Sequence, residues 1–445
     1  MKDGQSDQNP ATIAPRAKTV GEIWSRWAWV EPHVWTERML TTLEEGVKGG
    51  KWYSLMDKVY SISNLRTSFE AVRANKGGAG VDHHTIEMFE KHLDDNLADL
   101  TAALRTGTYR PAAIKRVWIP KPGSSAKRPL GIPTVRDRVV QAAIRNVIEP
   151  IFERDFAPQS YGFRPGRGCK DALRRVTELL RAGYIFVVDA DLKSYFDTIP
   201  HARLLRLIER KIADSRVLGL LKAYLKQQVM DTVKGWTPEK GTPQGAVISP
   251  LLSNIYLDPL DHMMAAAGIE MVRYADDFVL LCRSEAEAHH ALELVQTWTT
   301  SVGLVLHPDK THIVDASQRG GFDFLGYHFE RGYRWPRKKS LRKLHDSLRR
   351  LTKRTNGQSL AAIISDVNRS LVGWFGYFKH SYKTTFSPLD GWTRMRLRSI
   401  LRKRRGGQGR GRGADHQRWP NAFFADHGLF SLTAAHAAAC QSARR

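Results

Sequence analysis

The 445-residue sequence predicts an α+β fold, a small sheet set among many helices, and three observations carry that prediction. Stretches before residue 155 place apolar residues at helical spacing, as in "TIEMFEKHLDDNLADLTAAL" (85–104), which Thr85 opens. Near residues 184–192 and 270–282 the pattern changes to short β-branched and aliphatic runs of the kind that make buried strands. From residue 331 onward the chain is again helical in pattern, and strongly basic. The length exceeds what one compact core accommodates, so two or three packed units are expected.

Residues 1 to about 20 are polar and read as a leader, followed by a Trp-rich segment through "GGKWYSLMDKVYS" to which the pattern assigns no role. After the helix at 85–104, "IPKPGSSAKRPLGIPT" reads as a loop, because Pro and Gly punctuate a basic stretch. "VRDRVVQAAIRNVIEPIFERDF" is helical, "YIFVVDADL" is a strand, and helices cover about 201–228. "GTPQGAVISPLL" runs from a turn into a helix starting at Ser249, with Pro250 in its first position. "EMVRY" and "FVLLC" are strands around a turn, "EAEAHHALELVQTWTTSVG" is an amphipathic helix, and "KTHIVD" and "FDFLGYHFE" are further strands. "RKRRGGQGRGRG" reads as a flexible basic loop, and the apolar "WPNAFFADHGLFSLTAAHAAAC" as a piece that packs back onto the chain.

Charge is the unusual quantity. The formal net charge is +24, and between Arg331 and Gly413 there are 23 Lys or Arg against three acids, Asp346, Asp366 and Asp390. A surplus so localised points to a polyanionic partner rather than to a generally basic surface. Tyr333, Trp335, Trp374, Phe375, Tyr377, Phe378 and Trp392 lie among these cations and suit either base stacking or a helical core. Cys169, Cys282 and Cys440 are far apart and form no C-x-x-C pair, which argues against a disulfide framework or a zinc ribbon. No apolar run is long enough to span a bilayer and the first twenty residues lack a signal core, so a cytoplasmic protein is expected.

The chemistry centres on acids. "VVDADLKSYFD" ends a strand in carboxylates, and about 85 residues later "MVRYADDFVLLC" sets Asp276 and Asp277 side by side between apolar runs. Adjacent buried acids repel and demand solvent or a cation. If the two segments share a sheet, three carboxylates meet, a set suited to Mg²⁺, and two such ions can clamp an in-line phosphoryl transfer. By pattern alone Asp189, Asp191 and Asp197 all remain candidates for the third acid, and a lone Asp pair at a turn is more often simply solvated.

The order "RPLGIPT", "ADLKSYF", "GTPQG", "YADD" resembles that of reverse transcriptases, and the chain from "GGAGVD" at Gly77 through the basic helices resembles the bacterial group II intron-encoded reverse transcriptase/maturases. The resemblance implies a right-hand polymerase: fingers and palm with a small antiparallel sheet plus helices, and a helical basic thumb/maturase domain. It implies boundaries at 1–60 for a leader of unassigned role, 61–328 for fingers and palm, and 329–445 for thumb and maturase.

It further implies that Asp191, Asp276 and Asp277 are catalytic and hold two Mg²⁺ ions, with Asp191 chosen over its neighbours by its match to "DLKSYF". Phe196 would crowd the sugar C2′ and so favour dNTPs, and Gln244 would lie near the incoming nucleotide. Lys121 and Arg128 would contact the triphosphate, with Lys127 an alternative to Arg128. Arg164 and Arg167 in "SYGFRPGRG" would touch template backbone or neighbouring acids. The implied reaction is RNA-directed DNA synthesis from an RNA template, a DNA primer and dNTPs, with group II intron RNA as the partner in splicing and mobility and no membrane. An RNA-binding splicing cofactor with an unused polymerase site, or a reverse transcriptase recruited to defence or repair, are the alternatives. No C-x-x-C nuclease module follows, so DNA cutting in cis is not expected; oligomeric state is not implied.

Overall fold

The computed structural model describes residues 20–120, 127–231 and 234–442. Lys121 therefore lies outside the described residues, as does the segment read as a leader. Among the described residues eleven strands form three small sheets amid helices, the α+β mixture that the sequence predicts. The strands β1 (Ile114–Pro120) and β2 (Lys127–Ile132) form an antiparallel pair, and β3 (Phe186–Asp191) begins the central sheet. Next, β4 (Val229–Asp231) and β5 (Lys234–Trp236) extend the first sheet in the order β2-β1-β4-β5. Then β6 (Glu270–Tyr274), β7 (Asp277–Cys282) and β8 (His312–Asp315) complete the central sheet, antiparallel throughout in the order β6-β7-β3-β8. The third sheet, β11-β10-β9, is built from β9 (Phe322–Phe324), β10 (Tyr327–Glu330) and β11 (Tyr333–Pro336).

The helices begin where hydroxyl caps satisfy their free N–H groups. Thr85 accepts from Met88, Thr134 from Asp137 and Ser284 from Glu287, opening Ile86–Lys91, Val135–Glu153 and Glu285–Ser301. Two details differ from the sequence pattern. The helix expected over 85–104 is interrupted at His92, whose backbone turns to φ −125°, ψ 43°, and a second helix runs over Leu93–Thr106. The segment "IPKPGSSAKRPLGIPT", read as a loop, supplies the end of β1 and all of β2 on either side of residues 121–126. The helix expected to start at Ser249 does so, as Ser249–Ala266 with Pro250 in its first turn, and the Ser249 hydroxyl bonds Pro243 O at 2.8 Å and Thr242 at 2.6 Å.

One apolar core runs from Ile23 to Leu304 and includes Trp27 and Trp35. The Trp-rich segment is thus part of the core, with Trp35 Nε1 donating to Asn146 O at 3.0 Å on the helix Val135–Glu153. A separate core lies between helices Lys338–Leu351, Leu360–Phe378 and Phe386–Arg404, around Leu348, Val367, Leu371 and Leu397. The terminal apolar piece does pack back, through Phe424 and Leu432. The Gly/Arg segment folds against its own helix, with Gly411 N donating to Ser399 Oγ at 3.3 Å and Arg402 paired with Asp415 at 2.6 Å. Among the described residues no helix is long and apolar enough to cross a membrane.

Candidate active site

The turn between β6 and β7 carries the paired acids. Tyr274 pairs across it with Asp277, and Ala275 takes φ +61°, a left-handed conformation that costs a non-glycine residue about 1 kcal/mol. Such strain persists only where surroundings over-determine it, and here they do. Arg273 Nη1 donates to Ala275 O at 2.9 Å and to Asn254 Oδ1 at 3.0 Å, while its Nε donates to Asp261 Oδ1 at 2.7 Å. Asn254 and Asp261 both sit on the helix Ser249–Ala266, seven residues apart and so on one face. Asn254 Nδ2 in turn donates to Gly162 O at 2.8 Å. Gly162 is pressed on the turn itself: a Cβ there would lie 2.2 Å from Ala275 N.

The β3–β7 register sets Asp191 directly opposite Asp277, and Asp189 lies two residues back on the same face. These acids feel one another. Burial pushes the Asp277 carboxyl up to about 7, with Asp189, Asp276 and Asp191 adding to the shift. Burial also raises Asp276, with Asp191 contributing, and takes Asp189 to about 7, with Asp323 and Asp191 contributing. The ammonium of Lys310 pairs with Asp191, so one cation already answers the repulsion. Among the described residues no three His, Cys, Asp or Glu side chains stand arranged to hold a metal ion. The donor chemistry nonetheless fits one, since desolvated carboxylates that raise each other's pKa are hard ligands for a divalent cation.

Of the acids left open by pattern, Asp197 is the one the fold sets apart. It lines a cavity of about 400 Å³ together with Arg116, Phe196, Trp236 and Gln244. The turn bearing Gln244 is drawn in tightly: Gly131 N donates to Gln244 O at 2.7 Å and Thr242 N to Phe196 O at 2.7 Å. A Cβ on Gly245 (φ +111°) would stand 2.5 Å from Gly131 O, so the glycine permits this approach. Pro129 and Gly131 line the same cavity, whereas Arg128 stands exposed at the start of β2, paired across the strands with Ile119. Lys127 is exposed beside it, opposite Pro120. Arg164 does bind a neighbouring acid: it is buried against Glu153, with Nη2 to Oε1 at 2.7 Å, and donates to Ala157 O at 2.6 Å. Arg167 donates to Pro158 O at 2.6 Å.

Sequence reasoning missed four participants. Arg273 and Asp261 stood within elements correctly placed but were given no role, and Lys310 lies in the connection before β8. Arg116, just before the segment read as a loop, was given no role, yet it lines the cavity, and its guanidinium lies 4.8 Å from the rings of both Trp118 and the cavity-lining Trp236. A charged residue inside an apolar strand pattern, as in "EMVRY", is the signal that was available for Arg273.

Residues 119–329 match the family described as "Reverse transcriptase (RNA-dependent DNA polymerase)", and residues 341–419 match "Group II intron, maturase-specific domain". Protein YkfC of Escherichia coli is 36% identical over 291 residues, covering 57% of this chain and 76% of that one. The group II intron-encoded protein LtrA of Lactococcus lactis is 35% identical over 211 residues, 47% of this chain and 34% of its own. The chain thus spans about a third of the length of that Lactococcus relative. Among solved structures, a partial Cas6-RT-Cas1–Cas2 complex aligns at 22% identity with a TM-score of 0.37, over 56% of this chain and 42% of that one.

Proposed function

Because the chain belongs to the family of RNA-dependent DNA polymerases that group II introns encode together with a maturase domain, we propose that it extends a DNA primer on an RNA template at the acidic hairpin and binds group II intron RNA through its basic C-terminal helices, assisting splicing and mobility. The observation that carries the catalytic half is the β3–β7 register, Asp191 against Asp277, with Asp276 at the adjoining turn. In this reading the chain works in the cytoplasm on nucleic acids, its three parts dividing near residues 60 and 328.

The family uses divalent metal ions. Here Asp191, Asp276 and Asp277 would hold two Mg²⁺, and Lys310 would yield its place on Asp191 as they bind. Bound metal supplies Lewis-acid polarisation of the primer hydroxyl and the phosphate, and neutralises the leaving pyrophosphate. The chain's own side chains do the rest. Phe196, on the cavity wall, occupies space that a 2′-hydroxyl would need, so deoxynucleotides are preferred. Gln244 and the backbone of its turn, which Thr242 N ties to Phe196 O at 2.7 Å, also line that cavity and orient the nucleotide. Lys121 and Arg128 would contact the triphosphate, by charge and by bidentate hydrogen bonding respectively. Arg273, through Ala275 O, keeps the two hairpin acids in one geometry.

The cationic C-terminal part supports the RNA-binding half, since phosphate contacts supply affinity while shape and unpaired bases supply selectivity. The direct test is extension of an oligo(dT) primer on an RNA template with Mg²⁺ and dNTPs. The parent should incorporate dNTPs and the Asp276→Ala/Asp277→Ala variant should not; equal incorporation by both overturns the catalytic assignment.

A further inference from the structure

A second cavity, of about 390 Å³, opens between β11 and the helices Lys338–Leu351 and Phe386–Arg404. Trp335, Leu341, His345, Leu389 and Trp392 give it apolar, largely aromatic walls. The His345 and Trp392 rings lie 4.6 Å apart and are tilted by 38°. Thr385, also in the lining, has a buried hydroxyl with no hydrogen-bond partner among the described residues. The rim is cationic: the Arg349 and Arg396 guanidiniums stand 5.9 and 5.8 Å from the Trp392 ring. Burial, and then the nearby Arg354, Arg349 and Arg410, lower the Arg396 pKa, so these cations crowd one another; one acid, Asp346, pairs with Arg349 at 2.7 Å, and Arg396 Nη2 donates to Thr352 O at 2.8 Å.

An apolar slot of aromatic rings bordered by crowded guanidiniums selects a ligand that is flat and apolar at its tip and anionic at its base. A second copy of this chain does not meet that description, because it would bring the same cations against the rim. A nucleobase carried on its phosphate backbone does. We propose that this cavity takes an unpaired nucleobase of a bound RNA, its ring against Trp392 and its flanking phosphates on Arg349 and Arg396. The proposal rests on the RNA-binding role given above to the C-terminal part, since Leu341, His345, Leu389 and Trp392 all fall within the maturase-matching residues 341–419. RNA rather than DNA is the expected source, because selective RNA recognition targets unstacked bases in loops and bulges.

The test uses the full chain and an RNA hairpin carrying one bulged 2-aminopurine, compared with the same hairpin fully paired and with a bulged DNA hairpin. The parent should bind the bulged RNA about tenfold more tightly than the paired one, the scale of one base stacked on an aromatic ring, and should quench the bulged base. Trp392→Leu should abolish both the preference and the quenching while leaving affinity for the paired hairpin unchanged. His345→Ala should weaken the preference in the same way, which keeps the test decisive if the tryptophan variant melts early. Equal binding of bulged and paired RNA by the parent overturns the pocket and leaves the RNA-binding role standing. Equal loss for both hairpins in the variants, or equal preference for the bulged DNA, also overturns it. Failure of the parent to bind either RNA overturns both.

Discussion

Arg273 and Asp261 form a salt bridge in which both side chains are 0% exposed, and the Arg273 fork reaches onward to the carbonyl of Ala275 in the acidic turn. A pair so buried stabilises little over an apolar replacement, but breaking it strands a charge in the core. Asp261→Ala should therefore cost about 3–5 kcal/mol in chemical denaturation. Arg273→Lys retains the charge without the fork, so Ala275 O and Asn254 lose their shared donor. It should remain folded yet extend primers on the order of 10²-fold more slowly, the penalty of a misplaced reacting geometry. Normal extension by a folded Arg273→Lys would remove the clamp from the mechanism.

Gly162 tests the same turn from its other side. A methyl group added there would meet backbone, Ala275 N at 2.2 Å and Tyr274 C at 2.8 Å, which cannot swing away as a side-chain tip does. Gly162→Ala should displace the turn, reducing primer extension at least tenfold with a modest loss of stability. Unchanged extension kinetics would show that the turn tolerates the shift.

The carboxylates oppose folding at the site proposed for chemistry. Burial and its acidic neighbours raise the Asp277 pKa, so its charged form is disfavoured in the folded chain. Asp277→Asn should raise stability by roughly 1 kcal/mol in metal-free buffer while abolishing primer extension. Added Mg²⁺ should raise the melting temperature of the parent more than that of the variant, since ligand binding stabilises only the state that binds it. Equal stabilisation of both by Mg²⁺, or a less stable variant in EDTA, would contradict this.

The same physics decides what could be read from the sequence. The strands around Asp276 and Asp277 were legible because "EMVRY" and "FVLLC" are apolar runs cut by a short turn, and the Asp191 strand because "YIFVVDADL" is β-branched. The β1–β2 pair was not, since "IKRVWIP" mixes cations with apolar residues and its partner lies beyond a Gly/Pro-rich stretch. Trp35 could be recognised as apolar, but its partner Asn146 is 111 residues away, and no local pattern reports such a distance. The Arg273 clamp lies between these cases. A cation within an apolar strand and two polar residues at helical spacing, Asn254 and Asp261, were visible, but their meeting depends on how helix and sheet pack.

Phe196 is half-buried on the cavity wall, its ring 5.4 Å from that of Tyr195. Tyr195 is anchored by its hydroxyl to Ser253 O at 2.8 Å, so the Phe196 ring rests on a fixed floor. Phe196→Ala should leave dNTP incorporation within a few-fold of the parent and raise rNTP incorporation by about tenfold or more, since removing a steric block acts on the discriminated sugar alone. Sugar discrimination that does not change would mean that Phe196 serves packing only.

Glu149 supplies the pH dependence that can be assigned to one side chain away from the candidate metal ligands. It lines a cavity with Glu31, Arg145 and Arg164, and burial pushes its carboxyl from an ordinary 4.5 up to about 7. Glu153 adds to the rise, and Arg145, 3.7 Å away, opposes it. A folded-state value above the unfolded one means that the native chain holds a proton the unfolded chain has released. The stabilisation from that proton is complete below about pH 4.5 and is lost as pH rises to about 7, beyond which the curve flattens. The interval corresponds to at most about 3 kcal/mol. Glu149→Gln keeps the shape and removes the titration. Relative to the parent it should therefore gain stability progressively from pH 5 to pH 7 and hold that gain at pH 8, as measured by urea denaturation at each pH. A parent-minus-variant difference that does not change with pH across this range would show that Glu149 titrates normally and that Arg145 compensates for its burial.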